Sequence, residues 1–536
     1  MMKVHYSIQA GALLASGGEA LLERMKRADV AKVWLHGYFF GRFASTIREL
    51  QEAKRLLERA GFEAGVINVP LGHPGNSLNP DDSSMELSLP DSWRYRIGRD
   101  GASVYYCADI ETNMLEDSIA AVIALREAGF TELFLDDDLR QGNWSSEIQG
   151  CFCEECLYRF NLATGRRETR ESLSERIGRK ETSDVLREWV EFQCAKLTAF
   201  VEALAIPGIT LGAMVMAGGD ERHGIDIAAW RRALPAGMFR VGEHHFNDRD
   251  FGTPSGKAQD LIGIQKHLNG MPRATSYSET TCFPYRALSP ANLIFKARLA
   301  LASGVPNIML MSGTYIYEED YWSVWEEQAA ELKKWGEALS PYERIYPVHF
   351  AYGTDGISQE PLHATTLPTL AGLPAKPVRG CDIDVNADDF DGELLLVFGD
   401  FSLDGPWERI LPAYRTIVLD AVAARRNPGV ADRSDHADLR LWPHEAGSAP
   451  GQAEIGGLRD FLSLEDRLFP HVVQGAHIVV LWVKERGGAL LLNLETADNC
   501  CRVAFGRLQW DVALPPLSWK WLSLSEGSTT DDVGSL

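Results

Sequence analysis

From its start to about residue 340, this 536-residue chain alternates short apolar runs with longer amphipathic stretches, eight of each. The runs at 4–10, 32–38, 64–70, 131–135, 209–216, 239–244, 274–278 and 307–311 read as strands. The stretches at 18–28, 45–60, 114–128, 184–204, 225–234, 257–268, 290–302 and 322–339 read as helices. Strand followed by helix, eight times over, predicts a (β/α)8 TIM barrel over residues 1–340. A doubly wound open sheet is the competing arrangement. It would place a glycine-rich phosphate turn after the first strand, and SIQAGALLASG matches that turn poorly. The connection after the third strand opens with GHPGNSLNP and runs to about residue 113, long enough that it is expected to cover something.

Beyond Tyr342 the alternation weakens. Runs at 348–352, 394–398 and 416–419 read as strands of a smaller α/β domain over 341–475, and 428–452 reads as a long loop. From residue 476 the text is all strand (HIVVLWVKE, GGALLLNLE, CRVAF, LPPLSWKWLSL), which predicts a small C-terminal β-sandwich over 476–536 with a frayed tail from 525.

Charge narrows the partners. With 53 Lys and Arg against 75 Asp and Glu, the net charge of −22 argues against nucleic acid or an anionic membrane as a partner. No apolar run reaches the roughly 18–20 residues of a membrane span. The N-terminal apolar patch reads as a first strand and not as a signal peptide. Nine cysteines in a chain of this length do not make a disulfide framework, and the protein reads as cytoplasmic.

Cys151, Cys153 and Cys156 form a Cys-x-Cys-x-x-Cys cluster soon after the fourth strand. Three thiolates so close suit one ion, and Cys107, on the preceding loop at the same barrel face, can reach them as a fourth. Four thiolates around Zn²⁺ leave no open position, so the expected zinc is structural. Cys194 and Cys282 read as ordinary buried thiols.

Barrel enzymes carry their reacting groups at the C-terminal ends of strands. The fourth strand ends in Asp136, Asp137 and Asp138, followed by Arg140, and the seventh ends in Glu279. A pair of carboxylates across a barrel mouth is the apparatus of glycoside hydrolysis: one protonates the leaving oxygen, the other attacks the anomeric carbon or activates water. His36, His73, His244, His245 and Tyr315 follow the second, third, sixth and eighth strands and converge on the same rim, while Trp93, Tyr95, Trp144, Phe283 and Tyr285 offer faces for sugar stacking. The plainer reading has the acids capping helices or pairing with Arg140 or Arg286, and the histidines and aromatics as core. Two other functions fit the residues. One is a metal-dependent isomerase or lyase, with Asp136, Asp138, His244, His245 and Glu279 around Mg²⁺, Mn²⁺ or Zn²⁺. The other is a carbohydrate-binding protein without turnover.

With these residues in place, the chain resembles glycoside hydrolase family 42, the clan A β-galactosidases. The resemblance implies a barrel, then a flavodoxin-like domain that helps build a trimer, then a small β domain. It implies zinc bound by a Cys-x-Cys-x-x-Cys and an upstream Cys, matched here by Cys107, Cys151, Cys153 and Cys156. The family ends its fourth strand in Asn-Glu, the Glu being the acid/base; here Asp137-Asp138 stands at that place, so Asp138 takes the acid/base position. Glu279, in YSETT, matches the nucleophile by strand and context. The implied protein is an exo-acting, retaining hydrolase of a carbohydrate substrate and a homo-oligomer, with His36, His73, Asp136, Asp137, Arg140, His244, His245 and Tyr315 lining the pocket.

Overall fold

The computed structural model describes residues 2–72, 89–136, 139–142, 147–179, 183–216, 221–313, 315–353, 355–357, 365–387, 390–400, 402–431, 438–445, 450–464 and 467–524. Eight parallel strands form a closed barrel: Lys3–Ile8, Val30–Phe39, Glu63–Val69, Glu132–Leu135, Thr210–Met214, Met238–Arg240, Ser276–Tyr277 and Asn307–Met311. Each pairs with the next, and Lys3 opposite Asn307 closes the ring. The order is that of a (β/α)8 barrel, as the alternation of the sequence predicts. Inside it, Trp34, Ile67, Phe134, Met238, Tyr277 and Met309 fill the lumen, so the barrel is a packed core and not a pore.

Local signals place the helices. Thr46 and Glu49 form a reciprocal capping box ahead of helix Ile47–Ala60, which Gly61 ends in the left-handed region at φ 94°. The helices Asp184–Leu204, Pro290–Ser303 and Glu319–Leu339 lie close to the ranges their periodicity predicts. The seventh strand is interrupted. Ser278 Oγ accepts the backbone N–H of Met309 at 3.1 Å, doing for the ladder what a carbonyl would do. Pairing resumes at Thr280–Thr281, and Glu279 stands at the break.

The long connection after the third strand contains a hairpin that its Gly- and Pro-rich text conceals, Tyr95–Ile97 with Ser103–Ala108. It packs on the cysteine loop, where Phe152 N donates to Ile97 O at 2.9 Å.

Five parallel strands form the middle sheet, in the spatial order Ala375–Arg379, Val348–Gly353, Leu394–Val397, Thr416–Leu419, Leu439–Leu441. This 2-1-3-4-5 order is flavodoxin-like. Two of its strands depart from the sequence expectation. Leu439–Leu441 falls within the stretch 428–452 expected to be loop, and Ala375–Arg379 contains Pro377. Proline is tolerated there because the strand is at the sheet's edge. The edge is covered by the barrel: Gln265 Nε2 donates to Ala375 O at 3.0 Å and Asn269 Nδ2 to Pro377 O at 2.8 Å.

Two three-stranded antiparallel sheets make the C-terminal sandwich, His471–Gln474, Asn499–Phe505 and Leu508–Leu514 against Ile478–Val483, Gly488–Asn493 and Trp519–Ser523. Its first strand precedes residue 476. Alternate residues explain why Ile478–Val483 is apolar throughout. Ile478 and Val480 face the sandwich interior, whereas Val479, Leu481 and Val483 join the main core shared with the barrel.

Candidate active site

Arg240 is the last residue of the sixth barrel strand, and its side chain turns into the lumen. Its Nη2 contacts Asp136 Oδ1 and lies 3.3 Å from Glu279 Oε1; Nη1 is 3.4 Å from Asp136 Oδ2. The guanidinium also donates to Met214 Sδ at 2.6 Å and contacts the thioether of Met311. A single buried cation therefore joins the acids that end the fourth and seventh strands. Asp136 is fixed from behind, its N–H donating to Asn68 O at 2.8 Å at the end of the third strand.

Glu279 is held from the other side by a reciprocal pair of bonds. Glu243 N donates to Glu279 Oε2 at 2.7 Å, and Glu279 N donates to Glu243 Oε1 at 3.1 Å. The Glu243 carboxylate points outward to Lys296, 2.5 Å away on helix Pro290–Ser303, and Lys296 also pairs with Asp260. Asp260 accepts from His244 N at 3.3 Å and lies 2.8 Å from His245 Nδ1. Burial pushes Glu243 up to about 7 in spite of Lys296. For Asp260 burial acts the same way, but Lys296 and His245 outweigh it and hold the group at about 2.

His36 ends up buried on the second strand, its Nε2 3.0 Å from Ser7 Oγ and its ring stacked on Phe39. Burial lowers it to about 4, so it is neutral at ordinary pH. Its Nδ1 has no hydrogen-bond partner among the described residues. At the rim Tyr315, 40% exposed, stacks on Tyr285 with ring centroids 4.7 Å apart. Arg286 pairs with Glu318 and Asp320, whereas Asp136 and Glu279 pair with Arg240.

Not every expected residue arrives at the mouth. His245 is committed to Asp260 in the wall. Arg140 is fully buried and donates to Met216 Sδ at 2.8 Å. Trp93 donates to Asp117 at 2.7 Å and packs in the core. His73, Asp137, Asp138 and Trp144 lie outside the described residues. The arrangement opposes a metal shared by Asp136, Asp138, His244, His245 and Glu279, because the guanidinium of Arg240 already lies between Asp136 and Glu279. Sequence reasoning misses Arg240, Glu243, Asp260 and Lys296. For Arg240 a signal exists, a lone charge inside the apolar strand MFRV, where burial is costly without a partner.

The cysteine cluster also differs from expectation. Ligand atoms of Asp109, Cys151, Cys153 and Cys156 all lie within 4.8 Å of one another. Cys107 is not among them: it is fully buried, donates to Ala108 O at 3.6 Å, and sits beside the guanidinium of Arg96. Cys153 caps helix Glu154–Thr164, accepting from Cys156 N at 3.4 Å. Among the described residues this is the one group of three or more Cys, His, Asp or Glu close enough to share an ion.

Known structures share this architecture over nearly the whole chain. A β-galactosidase from Bacillus circulans sp. alkalophilus is 11% identical and superposes with a TM-score of 0.63 over 97% of this chain and 98% of that one. A β-galactosidase from the psychrophilic Marinomonas ef1 is 11% identical, with a TM-score of 0.61 over 97% of this chain and 100% of that one. The α-L-fucosidase isoenzyme 2 from Paenibacillus thiaminolyticus is 11% identical, with a TM-score of 0.57 over 98% of this chain and 100% of that one. No protein-family model and no curated protein sequence matches the chain. At such low identity the shared property is the fold: a (β/α)8 barrel extended by further sheets, on which the strand-end carboxylates and Arg240 are this chain's own site.

Proposed function

We propose that the protein is a glycoside hydrolase that removes a terminal sugar, with Glu279 as the nucleophile. The observation that carries this reading is the Asp136–Arg240–Glu279 bridge, which aims two acids from separate strand ends at one point in the barrel mouth. Backbone and guanidinium donors fix the Glu279 carboxylate in one rotamer, as an attacking group requires. Asp136 is engaged as the ionic partner of Arg240. The acid/base role then falls to Asp138, and the reaction is a retaining double displacement through a glycosyl ester on Glu279. The Tyr285–Tyr315 stack offers an aromatic face at the rim.

The solved neighbours named as β-galactosidases and an α-L-fucosidase guide the choice of probes. Purified protein is assayed with 4-nitrophenyl β-D-galactopyranoside, β-D-glucopyranoside and α-L-fucopyranoside, and the first anomer released is read by proton NMR. Turnover with retained configuration is expected on at least one of them. Saturable sugar binding with no turnover on any of them overturns the hydrolase in favour of a binding protein.

The reading extends to assembly and compartment. Leu441, 51% exposed on a strand that is the edge of the middle sheet among the described residues, suits self-association, and a trimer is expected by light scattering. All nine cysteines are free thiols, which suits the reducing cytoplasm. Among the described residues no helix is long and apolar enough to cross a membrane.

A further inference from the structure

Taking Glu279 as the nucleophile of the hydrolase proposed above, we infer that the Glu243 side chain is its positioning residue. Glu243 holds the backbone of Glu279 at the break in the seventh strand and ties it to the buried ammonium of Lys296.

The break makes such a holder necessary. Toward the sixth strand the ladder runs as far as Val241 N, which donates to Tyr277 O at 2.9 Å. Two residues further along each segment, the backbone donors turn to side chains. Glu243 Oε1 accepts from Glu279 N at 3.1 Å, and Glu279 Oε2 accepts from Glu243 N at 2.7 Å. Each carboxylate stands where a ladder would put a carbonyl, so the pairing of the two segments continues through the reacting group itself. Toward the eighth strand the neighbours are held by other means, Ser278 N donating to Asn307 O at 2.8 Å and Thr280 pairing with Leu310. Glu279 is buried, and a buried N–H that loses its acceptor moves to find another. Removal of the Glu243 side chain therefore shifts the nucleophile and not merely the wall.

Glu243 is itself anchored. It lies 2.5 Å from Lys296 Nζ, and that ammonium is fixed by Asp260, by His245 O at 2.8 Å and by the ring of Phe251, 4.8 Å away. Glu243 thus meets a donor on each side, the Glu279 N–H and the Lys296 ammonium, and the two oxygens of a carboxylate answer both. Glutamine has one acceptor oxygen and would turn its amide N–H toward a donor. Asp260, by contrast, spends its oxygens on Lys296, His244 N and His245. It supports the same wall without bonding to the backbone of the nucleophile.

The 2,4-dinitrophenyl 2-deoxy-2-fluoro analogue of whichever nitrophenyl glycoside the wild type turns over tests the role. Glu279 attacks C1, the bond from C1 to the dinitrophenolate oxygen breaks, and a glycosyl ester remains, its site read by peptide mass. Dinitrophenolate leaves without protonation, so its release reports the nucleophile apart from any general acid. In full-length Glu243→Ala the inactivation rate constant is expected to fall about 10²-fold, with the concentration for half-maximal rate unchanged. Glu243→Gln keeps the volume and one acceptor, and is expected to fall by a smaller factor; it stands in where the alanine variant does not fold. Asp260→Asn is expected to melt below the wild type yet to be labelled on Glu279 at the wild-type rate. A folded Glu243 variant labelled at the wild-type rate overturns the positioning role. So does an Asp260→Asn protein slowed as much as Glu243→Ala, which would make the whole cluster structural. A wild type that turns over no glycoside, or is labelled elsewhere than Glu279, overturns the nucleophile assignment and the positioning role with it.

Discussion

Two buried clusters in the barrel have the same composition, one cation between two carboxylates, yet they are built differently. Lys296 lies between Glu243 and Asp260, with side-chain exposures of 0%, 1% and 1%. Arg240 lies between Asp136 and Glu279, with exposures of 3%, 7% and 7%. The first is packed under helices, and its lysine also donates to His245 O at 2.8 Å, so its charges are spent on holding the wall. The second lies over the lumen with thioethers for neighbours, and its acids keep a small opening to the mouth. Thioethers are weak acceptors, so a sugar hydroxyl can improve on them. The difference is between ion pairs sealed in the barrel wall and ion pairs set at the strand ends, and Glu279 joins the two.

Substitutions separate the clusters. The largest effect is expected at Glu279: Glu279→Ala should lower turnover of an aryl glycoside by about 10⁴-fold or more, with a melting temperature close to wild type. Lys296→Met reverses the pattern. It strands two buried carboxylates, and a loss of about 3–5 kcal/mol in stability is expected from denaturant unfolding. If the variant instead melts like wild type and loses only activity, the two clusters are not distinct in role. Arg240→Met should fall between, with turnover down by about 10²–10³-fold and a smaller loss of stability.

The smallest effect is one of pH. Glu243 is raised from 4.5 to about 7 by burial, so the folded protein favours its neutral form. Stability that is fully present below pH 4.5 is therefore withdrawn as pH rises toward 7. Glu243→Gln should flatten the melting-temperature profile across that window. Asp260 acts oppositely: held at about 2 against a usual 3.8, it loses its stabilising contribution only as pH falls below 3.8 toward 2. A variant profile parallel to wild type between pH 4.5 and 7 would remove Glu243 as the source.

How far the sequence discloses this molecule depends on whether a residue's role is set locally. The eighth strand Asn307–Met311 and helix Asp184–Leu204 form over the ranges their periodicity predicts, because each buries a face that its own pattern defines. Ala375–Arg379 is obscured by Pro377 and flanking charges, which only an edge position admits. In the site, Glu279 and Asp136 are legible because strand ends are where a barrel presents its groups. Lys296 is not. In PANLIFKARLALAS it reads as a solvent-facing lysine, and its burial follows from Glu243 and Asp260, which lie 53 and 36 positions earlier in the chain. Asp109 and Cys107 make the sharpest case. Residue type favours the cysteine as a ligand, whereas the atoms that lie within 4.8 Å of one another belong to Asp109 and the three later cysteines, and Cys107 sits beside Arg96.

The chain leaves the barrel near residue 340, builds the middle sheet, and then comes back. The returning sandwich grips the barrel's outer helices: Arg298 donates to Leu517 O at 2.7 Å, Trp519 Nε1 to Glu331 at 2.7 Å, and Arg486 to Ala338 O at 2.7 Å. Gln265 and Asn269 grip the middle sheet along its edge strand. Mechanically, then, the middle domain is a handle riveted at both ends and not a bead on a string. Torque applied to it passes into helix Pro254–Gly270, which carries Gln265, Asn269 and the Asp260 that pairs with Lys296.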